Sequence, residues 1–245
     1  MNRFGKIGAR RMVKNWTARD YVQDGLIAMW DGIENAGWGV HDPNATVWKD
    51  LCGTKDLALT SASSWTPKGA YGNGSNYIAG LTGADNAIAL ENCKTIQIVF
   101  SWNKQFVSGK SCAFIFSNAI DDWGRTIFAD NQLAPVGIKG GRSISGIYGP
   151  TIPFENYTTN SIALITAIYS SNTLTNPSPF MLNDRAYTSR GQNNRSAQRG
   201  LVLGGNTWQY NLIGEIFDVR IYSRALTADE IAANYAIDKL RFNLP

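Results

Sequence analysis

The sequence predicts an all-β fold: an antiparallel β-sandwich or jelly roll with one short C-terminal helix and an extended N-terminal arm. Three observations predict it. After Asp24, apolar and polar residues alternate in short runs rich in β-branched and aromatic side chains, the pattern of half-buried strands. Turn-forming clusters such as Asp42-Pro43-Asn44, Asn73-Gly74, Gly140-Gly141, Asn176-Pro177 and Gly204-Gly205-Asn206 divide those runs. No ten-residue helical pattern falls between them, which argues against parallel βαβ units.

Taken in order, the chain opens on a cationic segment. Residues 1–19 carry Arg3, Lys6, Arg10, Arg11, Lys14 and Arg19 and no acid. Phe4, Ile7, Met12, Val13 and Trp16 interleave with these charges, so residues 1–23 read as an arm that orders on an acidic or hydrophobic surface, a partner's or the domain's own. Residues 24–245 read as one domain. Its strands are expected at Gly25–Asp31, Asn86–Leu90, Lys94–Trp102, Cys112–Ser117, Ser161–Tyr169, Gly200–Gly204 and Ile213–Tyr222. Tyr187–Arg199 holds Arg190, Arg195 and Arg199 without an acid and reads as a long solvated loop. The helix follows Leu226-Thr-Ala-Asp-Glu-Ile231. Thr227 and Glu230 have the spacing of a capping box, and Leu226 and Ile231 that of a hydrophobic staple. Lys239 and Arg241 suit the negative end of the helix.

Composition narrows the chemistry. The 245 residues are 44% hydrophobic and 17% charged, enough for a sizeable core. The net charge of +4 belongs to the arm, because the rest of the chain carries 17 basic residues against 19 acidic ones. A uniformly basic nucleic-acid face is therefore not expected. The longest apolar run, Ile162 to Tyr169, is too short for a membrane span and is broken by Thr166. Charges interrupt the first residues too often for a secretory h-region. A single histidine, His41, excludes a multi-histidine metal site and a Ser-His-Asp triad built elsewhere. Cys52, Cys93 and Cys112 lack metal-ligand spacing and read as reduced thiols.

The stretch Gly214-Glu-Ile-Phe-Asp-Val-Arg-Ile-Tyr-Ser-Arg-Ala-Leu-Thr-Ala-Asp-Glu-Ile231 resembles the closing signature of laminin-G-like, concanavalin A-like jelly rolls: a Val-Arg-Ile-Tyr strand, then Arg-Ala-Leu-Ser/Thr, then a short helix. Gly25-Leu-Ile-Ala-Met-Trp-Asp31 and Val47-Trp-Lys-Asp-Leu51 are similar to the family's opening strands. The resemblance spans roughly residues 24–242. It departs at Phe217, where the family often has an acid. It implies two packed, curved antiparallel sheets, and a fold that hosts lectins, calcium-dependent binders, glucan hydrolases and virion proteins.

Retaining glucanases of this fold place two glutamates around an aspartate on one strand, with carboxyls about 5–5.5 Å apart. Here no two of Glu34, Glu91, Glu155, Glu215 and Glu230 lie two to five residues apart. Glu215 and Asp218 face opposite ways on a regular strand, sharing a face only if a bulge intervenes. The chain is therefore expected not to be an enzyme, with no catalytic residue. Ligand contacts are expected from Trp123 and Arg125, and from Asn206, Trp208 and Tyr210, where aromatic rings in turns adjoin polar groups. Asp121 and Asp122, with Asp130 and Asn131 near, offer oxygens for calcium, the one cofactor considered. The resulting expectation is a phage virion structural or adhesion protein, such as a capsid-bound decoration or fibre component. Arg3, Lys6, Arg10, Arg11, Lys14, Trp16 and Arg19 would anchor it to other virion proteins, and the jelly roll would meet host glycan, as a homo-oligomer in the family manner. The alternatives are a secreted or surface carbohydrate-binding module and a divergent glycosidase.

Overall fold

A computed structural model describes residues 15–53, 55–82, 88, 93–110, 112–117, 126–132, 136–140, 151–169, 180–187, 200–206 and 209–245. Two antiparallel sheets pack face to face. The first runs β14 (Arg185–Tyr187), β13 (Phe180–Leu182), β12 (Ile162–Ile168), β7 (Thr95–Trp102), β16 (Ile213–Tyr222), β5 (Ala70–Asn73), β4 (Ser63–Trp65), with β1 (Leu26–Asp31) also paired to β16. The second runs β11 (Thr151–Pro153), β10 (Gly137–Gly140), β9 (Thr126–Asp130), β8 (Cys112–Ser117), β15 (Gly200–Leu203), β6 (Ala79–Thr82), β3 (Leu57–Leu59), β2 (Val47–Trp48). The expected strands at 94–102, 112–117, 161–169, 200–204 and 213–222 are present to within a residue or two. Asn86–Leu90 lies, apart from Ile88, outside the described residues, as does most of Tyr187–Arg199.

Alternation explains the core. On β7, Ile96, Ile98, Phe100 and Trp102 point between the sheets and are fully buried. They meet Ala113, Ile115, Ile127, Ile138, Leu201 and Leu203 of the second sheet. Trp30, Trp48 and Trp102, assigned to the interior by their strand patterns, are all inaccessible to solvent. Cys52, Cys93 and Cys112 are free thiols.

The first sheet buries its outer face as well, under α1 (Ala228–Phe242). Thr227 Oγ1 accepts from the Glu230 amide at 3.3 Å and Glu230 Oε2 accepts from the Thr227 amide at 2.8 Å, so the capping box forms as its spacing requires. Leu226 and Ile231 pack with Ile168 and Tyr222. Asn243 ends the helix in the left-handed region at φ 60°. Hydrogen bonds from Arg224 and the Thr227 amide hold the Glu230 carboxyl down at about 2. Its contribution is therefore present above the unfolded value and fades as the pH falls toward 2. Thr227→Ala is expected to cost about 1 kcal/mol in urea unfolding, the usual effect of losing an N-cap side chain.

The described end of the basic segment lies on the body. Asp20 caps the 3-10 turn Ala18–Asp20 by accepting from the Thr17 amide at 2.9 Å. The buried Ala18 amide donates to Glu34 at 2.7 Å, Tyr21 Oη to Asp238 at 2.7 Å, and the Val22 amide to Asn234 at 2.9 Å. Beneath this strap lies a charged layer that the apolar pattern does not announce. Arg220 sits 2.6 Å from Asp238 and 2.9 Å from Asp218. Arg241 sits 2.5 Å from Asp31 and 3.3 Å from Glu34. The Tyr21 ring lies 3.9 Å from the Arg220 guanidinium carbon.

One irregularity organises this face. Phe217 is bulged, because Ile216 pairs with Phe100 while Asp218 pairs with Val99. At that point β16 exchanges one neighbour for another: β5 pairs as far as Ile216, and β1 takes over from Asp218. The Gly32 amide, just past β1, donates to the Phe217 carbonyl at 2.7 Å. A β-carbon on Gly32 would come within 2.5 Å of Gly69 Cα, so the close approach of these two segments requires glycine.

Candidate functional site

The second sheet brings chemistry to its outward face. Register places Cys112 opposite Asp130, Lys139 opposite Phe128, and Thr126 opposite Ser117, so these side chains share one face. Lys139 Nζ lies 3.1 Å from Asp130 Oδ2, with both side chains essentially buried. The other Asp130 oxygen accepts from the Gln132 amide at 2.9 Å. The Thr126 hydroxyl is buried, with no hydrogen-bond partner among the described residues. Phe128 and Cys112 form an apolar floor on which the partly exposed Tyr210 packs. Lys110 Nζ stands 5.0 Å from the centre of the Tyr210 ring.

The loop from β15 to β16 holds Tyr210 there. Leu212 donates its amide to the Gly204 carbonyl at 3.1 Å, and Gly204 donates to Ile115 at 2.9 Å. Asn206 Oδ1 accepts from the Tyr210 amide at 3.1 Å. Gly205 is pressed against Tyr77 and the Asn211 carboxamide, where a β-carbon would meet the Asn211 oxygen at 2.4 Å. Asn206 is thus buried and builds the turn that carries the ring. The assembly offers a partly exposed aromatic surface with a cation beside it, on strands joined by a buried Lys–Asp pair. That combination suits a hydroxyl-rich ligand with one apolar side.

Of the residues expected to contact ligand, Asn206 and Tyr210 are brought together, while Trp123, Arg125 and Trp208 lie outside the described residues. Lys110, Phe128 and Lys139 were missed. A lysine in the apolar strand Gly137-Ile-Lys-Gly140 was the available signal for the last. The calcium oxygens Asp121 and Asp122 also lie outside the described residues, and Asp130 is engaged by Lys139. Among the described residues no three His, Cys, Asp or Glu converge as a metal site. Arg3, Lys6, Arg10, Arg11 and Lys14 lie outside the described residues. Arg19 stacks 4.3 Å from the Trp38 ring centre, and Trp16 packs against the cluster of Tyr21, Met29 and Ile237.

The bulge at Phe217 meets the condition under which Glu215 and Asp218 share a face. Glu215 pairs with Ser101 and Asp218 with Val99, two residues apart on β7, so both carboxylates lie on the same outer face of the first sheet. Burial raises the Glu215 carboxyl above the ordinary range, against a hydrogen bond from the Thr66 hydroxyl. Asp218 is fully buried beside Arg220.

Taken together, the two antiparallel sheets and the one α-helix among the described residues make this an all-β sandwich. No protein-family model and no curated protein matches the sequence. Among solved structures it is similar to a Trypanosoma rangeli sialidase in complex with sialic acid (TM-score 0.62, 14% identity), over 89% of this chain and 33% of the sialidase. The chain thus spans about a third of the sialidase's length. It is also similar to domain 4 of AbnA, a GH43 extracellular arabinanase from Geobacillus stearothermophilus, in complex with arabinotriose (TM-score 0.53, 18% identity), over 86% of this chain and 98% of that domain. These likenesses establish the fold. They also overturn the expectation that the chain is not an enzyme, since glycoside hydrolases carry domains of this architecture. The spacing argument behind that expectation allowed Glu215 and Asp218 one face only through a bulge, and β16 carries that bulge at Phe217.

Proposed function

We propose that the chain is a carbohydrate-binding β-sandwich module belonging to a glycan-processing system, with Tyr210 as its aromatic contact. The observation that supports this most directly is the Tyr210 ring, partly exposed on the Phe128–Cys112 floor with Lys110 beside it. A sugar's C–H face stacks on such a ring while the ammonium group bonds its hydroxyls. The neighbours' bound molecules, sialic acid and arabinotriose, supply the first probes. The expectation of a virion protein is not carried into this reading. Trp16 and Arg19, two of its anchor residues, are occupied on the chain's own surface.

Calorimetric titration of the full chain with 3′-sialyllactose and arabinotriose tests the proposal. Tyr210→Ala is expected to weaken binding by about tenfold, the scale of one lost aromatic contact. Lys110→Ala is expected to weaken the anionic sugar more than the neutral one. Unchanged affinity for both sugars in both variants would overturn the assignment. Reducing-end release in the same samples reports hydrolysis.

A further inference from the structure

A second surface carries a more specific reading. At one lateral edge of the sandwich, β4 ends the first sheet and β2, paired to β3, ends the second. A cleft of about 450 Å³ opens there, between the segment after Asp42 and residues 59–65. That volume lies within the usual range of small-molecule sites, about 300–1,000 Å³. Trp65 and Leu59 supply its apolar wall, and Asn44, Thr46, Ser61 and Ser64 supply polar groups.

Trp65 is fixed before any ligand arrives. Its indole N–H donates to the Ala45 carbonyl at 2.7 Å. Its ring meets the buried Trp48 edge-on, with centroids 5.1 Å apart and planes at 83°. The ring remains partly exposed. Binding against a side chain already held by packing avoids the entropy of ordering it.

The polar groups divide into two sets. The Ser63 hydroxyl is committed to the Thr60 and Ile78 carbonyls, at 2.7 and 2.8 Å, and the Thr60 hydroxyl to the Tyr77 carbonyl. Those bonds shape the cleft. The side chains of Asn44, Thr46, Ser61 and Ser64 are exposed and have no hydrogen-bond partner among the described residues. Hydroxyls and a carboxamide both donate and accept, as sugar hydroxyls do.

Charge decides the ligand class. No residue lining the cleft is ionisable. The acid next to the lining in sequence, Asp42, accepts from the Asn44 amide at 2.8 Å, and no cation lines the cleft. A sialic acid carboxylate would lose water there without gaining a cation. We infer that this edge cleft is a second carbohydrate site, distinct from the Tyr210 face, and that it takes an uncharged sugar. It rests on the reading of the chain as a carbohydrate binder and adds a location and a selectivity to it.

The test follows the Trp65 indole N–H by 15N–1H NMR while the full chain is titrated with arabinotriose or 3′-sialyllactose. Arabinotriose is expected to shift that resonance and 3′-sialyllactose to leave it in place. Ser64→Trp, which fills the cleft from an exposed position, is expected to weaken the arabinotriose-dependent shift at least tenfold. Trp65→Phe keeps an aromatic ring against Trp48 and is expected to weaken calorimetric arabinotriose binding several-fold. Tyr210→Ala is expected to leave the Trp65 shift intact. An unaltered response in Ser64→Trp, or a larger response to 3′-sialyllactose, would overturn the edge site while leaving Tyr210 to be judged by its own variant. A Trp65 response to an extended heptapeptide but to neither sugar would also overturn it, in favour of strand addition at β4. A normal edge response with a silent Tyr210→Ala would sink the Tyr210 assignment instead.

Discussion

Arg220→Met is expected to remove about 3–5 kcal/mol of folding stability, a large share of the roughly 5–15 kcal/mol a domain possesses. The guanidinium lies between two carboxylates, 2.6 Å from Asp238 and 2.9 Å from Asp218, and all three side chains are inaccessible to solvent. Methionine fills much of the volume but leaves both acids, Asp218 on β16 and Asp238 on α1, without their main cation. Arg241 does not replace it, because its contacts go to Asp31 and Glu34. Four carboxylates then face one guanidinium among the described residues of this layer. Urea unfolding should show a lower midpoint, and adding Asp218→Asn to Arg220→Met should recover part of the loss. A loss below about 1 kcal/mol, the scale of an exposed pair, would show that the layer is solvated.

The same layer sets a pH dependence. Burial pushes the Asp218 carboxyl well above its ordinary range, with Arg220 opposing, and burial likewise raises Asp238. The 2.9 Å contact of Asp218 with Arg220 is an ion pair without an aligned hydrogen bond, so it compensates burial only in part. A carboxyl raised in the folded state binds more protons than its unfolded counterpart. Its contribution is complete below the unfolded value, near 3.9, and is lost as the pH rises through the folded value. Asp218→Asn should flatten that fall in melting temperature across the window above pH 4. A slope unchanged by the substitution would remove Asp218 as its source.

Lys139→Met is the second large effect, again about 3–5 kcal/mol, because it strips a buried cation from the buried Asp130. Here the loss should be functional as well. Phe128 sits between Asp130 and Thr126 along β9 and forms the floor under Tyr210. Loosening that strand should weaken sugar binding by at least the factor seen for Tyr210→Ala. A double-mutant cycle with Asp130→Asn separates the terms. If the pair is the source, Asp130→Asn with Lys139→Met should be more stable than Lys139→Met alone. Equal stability of the two would mean that other contacts hold Asp130.

The strands, the core tryptophans and the capped helix were legible because each depends on neighbours within a few residues. Period-two alternation marks β7 and β16, and the Thr227–Glu230 spacing marks the start of α1. The face of Glu215 and Asp218 could be read only conditionally, for the same reason. One bulged residue, Phe217, reverses the parity on which the argument stood, and the bulge forms where β16 changes partner from β5 to β1. That exchange depends on Gly32 and Gly69, which are far from Phe217 in sequence and adjacent to it in space.

The sequence by itself determined an all-β sandwich with a basic leading segment and a C-terminal helix, since composition and short-range periodicity are local properties. Only the tertiary structure decided which polar groups meet. Arg220 and Asp238 are joined across a strand and a helix, Lys139 and Asp130 across two strands, and Trp65, Ala45 and Ser61 at the edge of two sheets. Such contacts form when chain folding closes loops around a shared core, and strand periodicity specifies which face a side chain takes without specifying what will stand opposite.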